Sequence, residues 1–90
     1  LGVKLAPARA VPGAGDVGVV VVGVDPNGQA AAKGLSEGSV ILEVGGKPVE
    51  RPEQVKSGLE QARKDGKKAV LLKIRTEDGS RFMAVTFAAA

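Results

Sequence analysis

Seven residues near the front of the chain, Gly18 to Val24 (GVVVVGV), restrict the possible folds more than any other stretch. β-Branched side chains are stiff at χ1 and favour strands over helices. A continuous apolar run of this length, without alternation, reads as a strand covered on both faces. Such a strand lies near the middle of a fold, so the rest of the chain has to supply a layer on either side of it. Asp25-Pro26-Asn27-Gly28 follows and ends it, with proline presetting φ and glycine tolerating a positive one.

The flanking segments fit this arrangement. Leu1 to Leu5 (LGVKL) alternates with the period of a half-buried strand, its odd positions sharing a face. Ala6 to Asp16 (APARAVPGAGD) holds two prolines and two glycines and is expected to be a mobile loop across the surface. Ala30 to Gly34 fits a short helical turn, at about residues 30–33, closed by glycine, with Leu35 anchoring it to the core. A Glu37-Gly38 turn, a strand Val40 to Val44, a Gly45-Gly46 turn and a short extended Lys47 to Val49 come next. A longer helix is expected at about 52–64. Pro52 suits its first turn, Glu53 its positive end, Arg63 and Lys64 its negative end, and Gly66 its termination. Val55, Leu59 and Ala62 give it one apolar face, while Gly58 in its interior costs about 1 kcal/mol against alanine unless a neighbour approaches closely there. Ala69 to Thr76 and Arg81 to Phe87 form a hairpin across Glu77-Asp78-Gly79-Ser80.

Several chemistries are excluded by what the 90 residues lack. With no histidine and no cysteine there is neither a Ser-His-Asp triad nor a thiolate or imidazole metal site, so no catalytic residue, metal or cofactor is expected. Ser36, Ser39, Ser57 and Ser80 have no base to activate them. The carboxylates of Asp16, Asp25, Glu77 and Asp78 fall in turns, where they serve solubility. The stretch PGAGDVG lacks the Gly-Lys-Ser/Thr ending of a phosphate loop. Thirteen basic and ten acidic residues give a net charge of +3, but the cations are scattered and the only aromatics are Phe82 and Phe87, which argues against nucleic acid as a partner. No apolar run approaches the ~20 residues that span a bilayer, so no membrane insertion is expected. Residues 1–90 are enough for one core and are read as one domain.

The order of these elements is familiar. GVVVVGVDPNGQAAAKGLSEGSVILEVGGKPV resembles the core signature of a PDZ domain, and LGVKL resembles that family's carboxylate-binding loop and first groove strand. Opening on that strand and closing on RFMAVTF implies the permuted strand order of bacterial PDZ domains. LGVKLAP, GVVV, RPEQV and RFMAV look most like the second, C-terminal PDZ domain of HtrA/DegP-type periplasmic serine proteases. Site-2 proteases, tail-specific proteases and secretion-system components carry similar modules. The resemblance implies an α+β, PDZ-like fold: a small, partly open antiparallel β-barrel or sandwich of five to six strands, with one longer and one short helix. Two turn positions depart from the family pattern, Ser39 and Gly45, where an Asp and an Asn or Asp are usual.

The resemblance also implies a function. The chain would be a non-catalytic module of an envelope serine endopeptidase active in periplasmic protein quality control, binding peptide C-termini or unfolded, extended segments by β-strand addition. Backbone N–H groups around Leu1, Gly2 and Val3 would hold a carboxylate, and Val3-Lys4-Leu5 would pair with the peptide. Leu1, Val3 and Leu5 would line one wall of the pocket, and Lys56 and Leu59 the other, with Pro52 and Val55 nearby. Such a pocket favours an apolar terminal residue, and Lys56 an acidic or polar residue upstream. The histidine that reads a Ser or Thr hydroxyl in many relatives has no counterpart, because Pro52 falls about there. Implied partners are the protease domain and the other PDZ domain of a parent chain, with its other subunits as a further candidate. The alternatives are a structural module between subunits of a protease oligomer, and a PDZ domain of another protease or secretion protein.

Overall fold

The computed structural model describes residues 3–27 and 35–86. Leu1, Gly2, Phe87 and the short helical turn expected at about 30–33 lie outside the described residues. Within them the chain forms β1 (Val3–Pro7), a 3-10 turn (Ala8–Ala10), β2 (Val19–Val24), β3 (Val40–Val44), β4 (Lys47–Pro48), the helix α1 (Pro52–Lys64), β5 (Ala69–Thr76) and β6 (Gly79–Thr86). All pairings are antiparallel, in the order β1-β2-β3-β5-β6, with β4 taking up the end of β3 that β2 leaves. β1 and β6 do not pair, so the sheet is open. This is the six-strand end of the expected range, without the closure of a barrel.

The valine run behaves as expected over its first half. Val19 and Val21 join the main core with Ile41, Val44, Val55, Leu72 and Ile74, while Val20 points the other way into a second cluster with Ala8, Ala14 and Val40. Its second half departs from the expectation. The pairing runs Lys4↔Gly23 and then Leu5↔Val21, so Val22 is an extra residue, a β-bulge, and is 44% exposed. A strand that leaves its neighbour this way is no longer covered on both faces.

The Ala6 to Asp16 segment is more structured than a plain surface loop. β1 continues to Pro7, and the following turn folds over the outer face of the sheet, with Ala8 and Ala14 buried and Ala6, Val11 and Leu42 packed around them. Arg75 reaches across from β5 and donates from Nη2 to the Ala14 carbonyl at 2.7 Å. Without this cover Val20 and Val40 would face water, which is why a segment rich in proline and glycine has buried alanines. Two smaller differences concern strand ends: β4 stops at Pro48, with Val49 still donating to the Leu42 carbonyl at 3.1 Å, and β6 begins at Gly79.

α1 spans the residues expected of it because its ends are chemically marked. Pro52 takes the first position, where a missing N–H does no harm, and Gln54 Oε1 accepts the N–H groups of Glu50 and Arg51 at 2.6 and 3.0 Å. At the other end Gly66, at φ +79°, and Lys67 donate to the carbonyls of Arg63 and Ala62, the crossed pair that closes a helix through a left-handed glycine.

Candidate functional site

β1 is the terminal strand of the sheet: one edge pairs with β2, and the other has no strand partner among the described residues. A free edge presents alternate N–H and C=O groups to whatever lies beside it. α1 packs against β1, β3 and β5, so its apolar face roofs the core next to this edge. The helix thus lies beside the edge strand, the arrangement that a peptide groove would require.

The side chains expected to line it fall into three groups. Val3 and Leu5 from β1 and Leu59 from α1 are half-buried and packed against the main core, so each covers the interior and still offers apolar surface. Pro52 is half-buried at the start of the helix, and Lys56 is exposed. Val55, at 1% exposure, is taken up wholly by the core and presents no surface to the groove. Lys4 is exposed on the opposite face of β1 from Val3 and Leu5, and its stem lies across Gly23, where an added Cβ would meet the Lys4 Cβ and Cδ at 3.5 Å. Leu1 and Gly2 lie outside the described residues.

Sequence reasoning left Gly58 open, and its neighbour explains it. A Cβ at this position would sit 2.9 Å from Val44 Cγ1, closer than such atoms approach, so glycine lets the helix lie directly on β3. Helix height over the sheet, and with it the depth of the groove, depends on this contact. Gly58→Val is expected to lower stability by about 1–3 kcal/mol through overpacking. Ser57→Val, one residue away and exposed, is expected to stay within about 0.5 kcal/mol. Urea unfolding of the two variants checks this, and equal midpoints would mean that α1 does not rest on Val44.

A second concavity, an open cleft of about 480 Å³, lies between the Ser36–Ser39 turn and the tip of the β5–β6 hairpin. Glu37, Thr76, Asp78 and Arg81 wall it, so it lacks the apolar floor of the groove. Among the described residues, no three His, Cys, Asp or Glu side chains converge as a metal site requires, and no helix is long and apolar enough to cross a membrane.

Comparison with known proteins places this geometry in context. The family model for the PDZ domain matches residues 1–75. A probable periplasmic serine endoprotease, DegP-like, of Bartonella henselae is 44% identical over 69 residues, which are 77% of this chain and 14% of that protein. Its counterpart of the same name in Brucella suis is 40% identical over 75 residues, 83% of this chain and 15% of that one. The chain thus spans about one seventh of the length of these relatives. Among solved structures, the HtrA3 PDZ domain bound to a phage-derived ligand (FGRWV) superposes with a TM-score of 0.72 at 20% identity, covering 96% of this chain and 81% of that one.

Proposed function

Because the chain belongs to the PDZ domain family, we propose that it is a peptide-binding module, without catalysis of its own, that takes C-terminal or extended peptide segments by strand addition to β1. The observation that carries the reading is the coincidence of a strand edge without a strand partner among the described residues with apolar side chains beside it: Val3 and Leu5 on β1 and Leu59 on α1 are half-buried next to that edge. A peptide paired to β1 gains main-chain hydrogen bonds from the edge, and every second side chain faces the helix. Burying one apolar side chain there contributes about 1.5–3 kcal/mol, which favours an apolar terminal residue. The ligand on the similar HtrA3 PDZ domain, FGRWV, ends in such a residue. On this reading the carboxylate would fall to the N–H groups around Leu1, Gly2 and Val3, a role in which glycine, having no Cβ, is the permissive residue.

The relatives' names extend the proposal to the parent protein: a periplasmic serine endopeptidase in which residues 1–90 form one non-catalytic domain beside a protease domain. NMR titration tests the binding mode with a peptide ending in valine and the same peptide amidated at its C-terminus. The free acid is expected to shift amides from Val3 to Leu5 and around Leu59, and the amide to bind at least tenfold more weakly, about 1.4 kcal/mol. Equal binding of both would remove the carboxylate from the reading. Shifts confined to the Ser36–Ser39 cleft would remove the groove.

A further inference from the structure

β6 ends the sheet on the side away from β1, and its outer edge has no strand partner among the described residues. It contains neither a proline nor a bulge. Which of its main-chain groups are unused follows from one hydrogen bond. Gly45 donates to the Leu71 carbonyl at 2.8 Å, so the odd residues of β5 turn their main chain towards β3 and the even ones towards β6. Carried through the unbroken register from Ala69↔Thr86 to Thr76↔Gly79, this leaves the N–H and C=O groups of Ser80, Phe82 and Ala84 pointing away from the sheet. The same residues share the outer face with Leu71, which stands opposite Ala84. Phe82, at 66% exposure, and Leu71, at 53%, are the most exposed of the large apolar side chains described. Charge is sorted along this hairpin too. Glu77 and Asp78 form its tip, and Lys67 and Lys68 immediately precede its base at Ala69; all four are exposed, and none forms a salt bridge among the described residues.

We infer that β6 is the contact for a second copy of this chain: two β6 edges pair antiparallel about a two-fold axis at Phe82, and the two sheets become one. A two-fold contact has to be self-complementary. Here the outward main-chain groups of Phe82 meet those of the other Phe82, and those of Ser80 meet those of Ala84, as an antiparallel ladder requires. The axis stands perpendicular to the sheet, so the exposed Phe82 and Leu71 side chains of both copies fall on one side and join into a single patch. Asp78 of each copy comes opposite Thr86 of the other, two strand spacings, about 10 Å, from the second copy's Ala69. Lys67 and Lys68 of that copy lie just before Ala69, a gap that their stems and the carboxylates span, so an acidic tip meets a basic base at both ends. Arg81, the one charge within β6, comes opposite Met83 of the other copy rather than a second cation. About seven residues of edge with two phenylalanines bury on the order of 1,000 Å², the lower limit for a specific interface, so the dimer is expected to form in the tens of micromolar.

Sedimentation equilibrium of residues 1–90 from micromolar to millimolar concentration tests it. Phe82→Ala is expected to weaken the dimer at least about tenfold. The variants Lys67→Glu, Lys68→Glu and Glu77→Lys, Asp78→Lys are each expected to dimerise about tenfold more weakly alone, while their mixture regains the native affinity as a heterodimer, in which every tip again faces a base of opposite charge. Should the tip variant fail to fold, the native dimer still has to weaken about threefold or more from low to high salt. A chain that stays monomeric at millimolar concentration, a dimer indifferent to Phe82→Ala or to salt, or a mixture no tighter than its parts would overturn the inference. So would a valine-ending peptide that shifts the amides of Ser80 to Ala84, which would make this edge a peptide site. Peptide binding at β1 stands or falls separately from all of these results.

Discussion

Gly18→Ala is expected to destabilise the chain by about 3 kcal/mol or more, a large part of the ~5–15 kcal/mol that holds a small domain together. Two effects add. Gly18 has φ +90°, where an L side chain clashes with its own backbone, and an added Cβ would lie 2.7 Å from both the Ile41 carbonyl oxygen and Val40 Cγ1. The carbonyl belongs to the central strand and cannot swing aside without breaking the sheet. Gly13 is the matched control: its φ is +86°, but nothing lies within 4 Å of the added carbon. Gly13→Ala should therefore cost only the backbone term, about 1–2 kcal/mol. Urea unfolding followed by circular dichroism separates them. Equal losses would show that the chain entering β2 does not pass as close to β3 as the structure has it.

The second large effect concerns neighbouring leucines on β5. Leu72→Ala is expected to cost about 2–5 kcal/mol, because its side chain is 0% exposed and pairs across the sheet with Val44 and Met83 positions in the main core. Leu71→Ala, at 53% exposure on the other face, is expected to change stability by no more than about 0.5 kcal/mol. The sequence offers the same residue twice, so the contrast reads the register of β5 directly. A slip by one residue would exchange the two results.

That pair also shows what kind of information the sequence carries. Element type and limits were legible wherever local chemistry marks them: α1 begins at Pro52 and ends at Lys64 because proline and the Gly66 close are local signals. The hairpin of β5 and β6 was legible for the same reason. The bulge at Val22 was not, since four consecutive valines give no sign of which one is left out of the ladder. Ala8 and Ala14 fall in a segment that reads as a mobile loop, and only the distant Val20, Val40 and Arg75 make them a buried cover. The groove divides likewise. Alternation along β1 put Val3 and Leu5 on one face, but whether Val55 or Leu59 meets that face depends on how far α1 is rolled, which the contact of Gly58 with Val44 sets.

The free edge of β1 has a further consequence, for colloidal behaviour. A strand edge open to a peptide is equally open to the edge of another copy, and such edges seed aggregation. β1 is five residues long, has a lysine at its second position and ends in a proline that has no N–H to offer, while the Val22 bulge increases the local twist of its partner. A short flexible segment can follow a twisted, interrupted edge, whereas a second rigid sheet has to match it along its whole length. On the proposed reading, the irregularities of β1 and β2 would thus filter by stiffness, favouring a short flexible segment over a second rigid sheet.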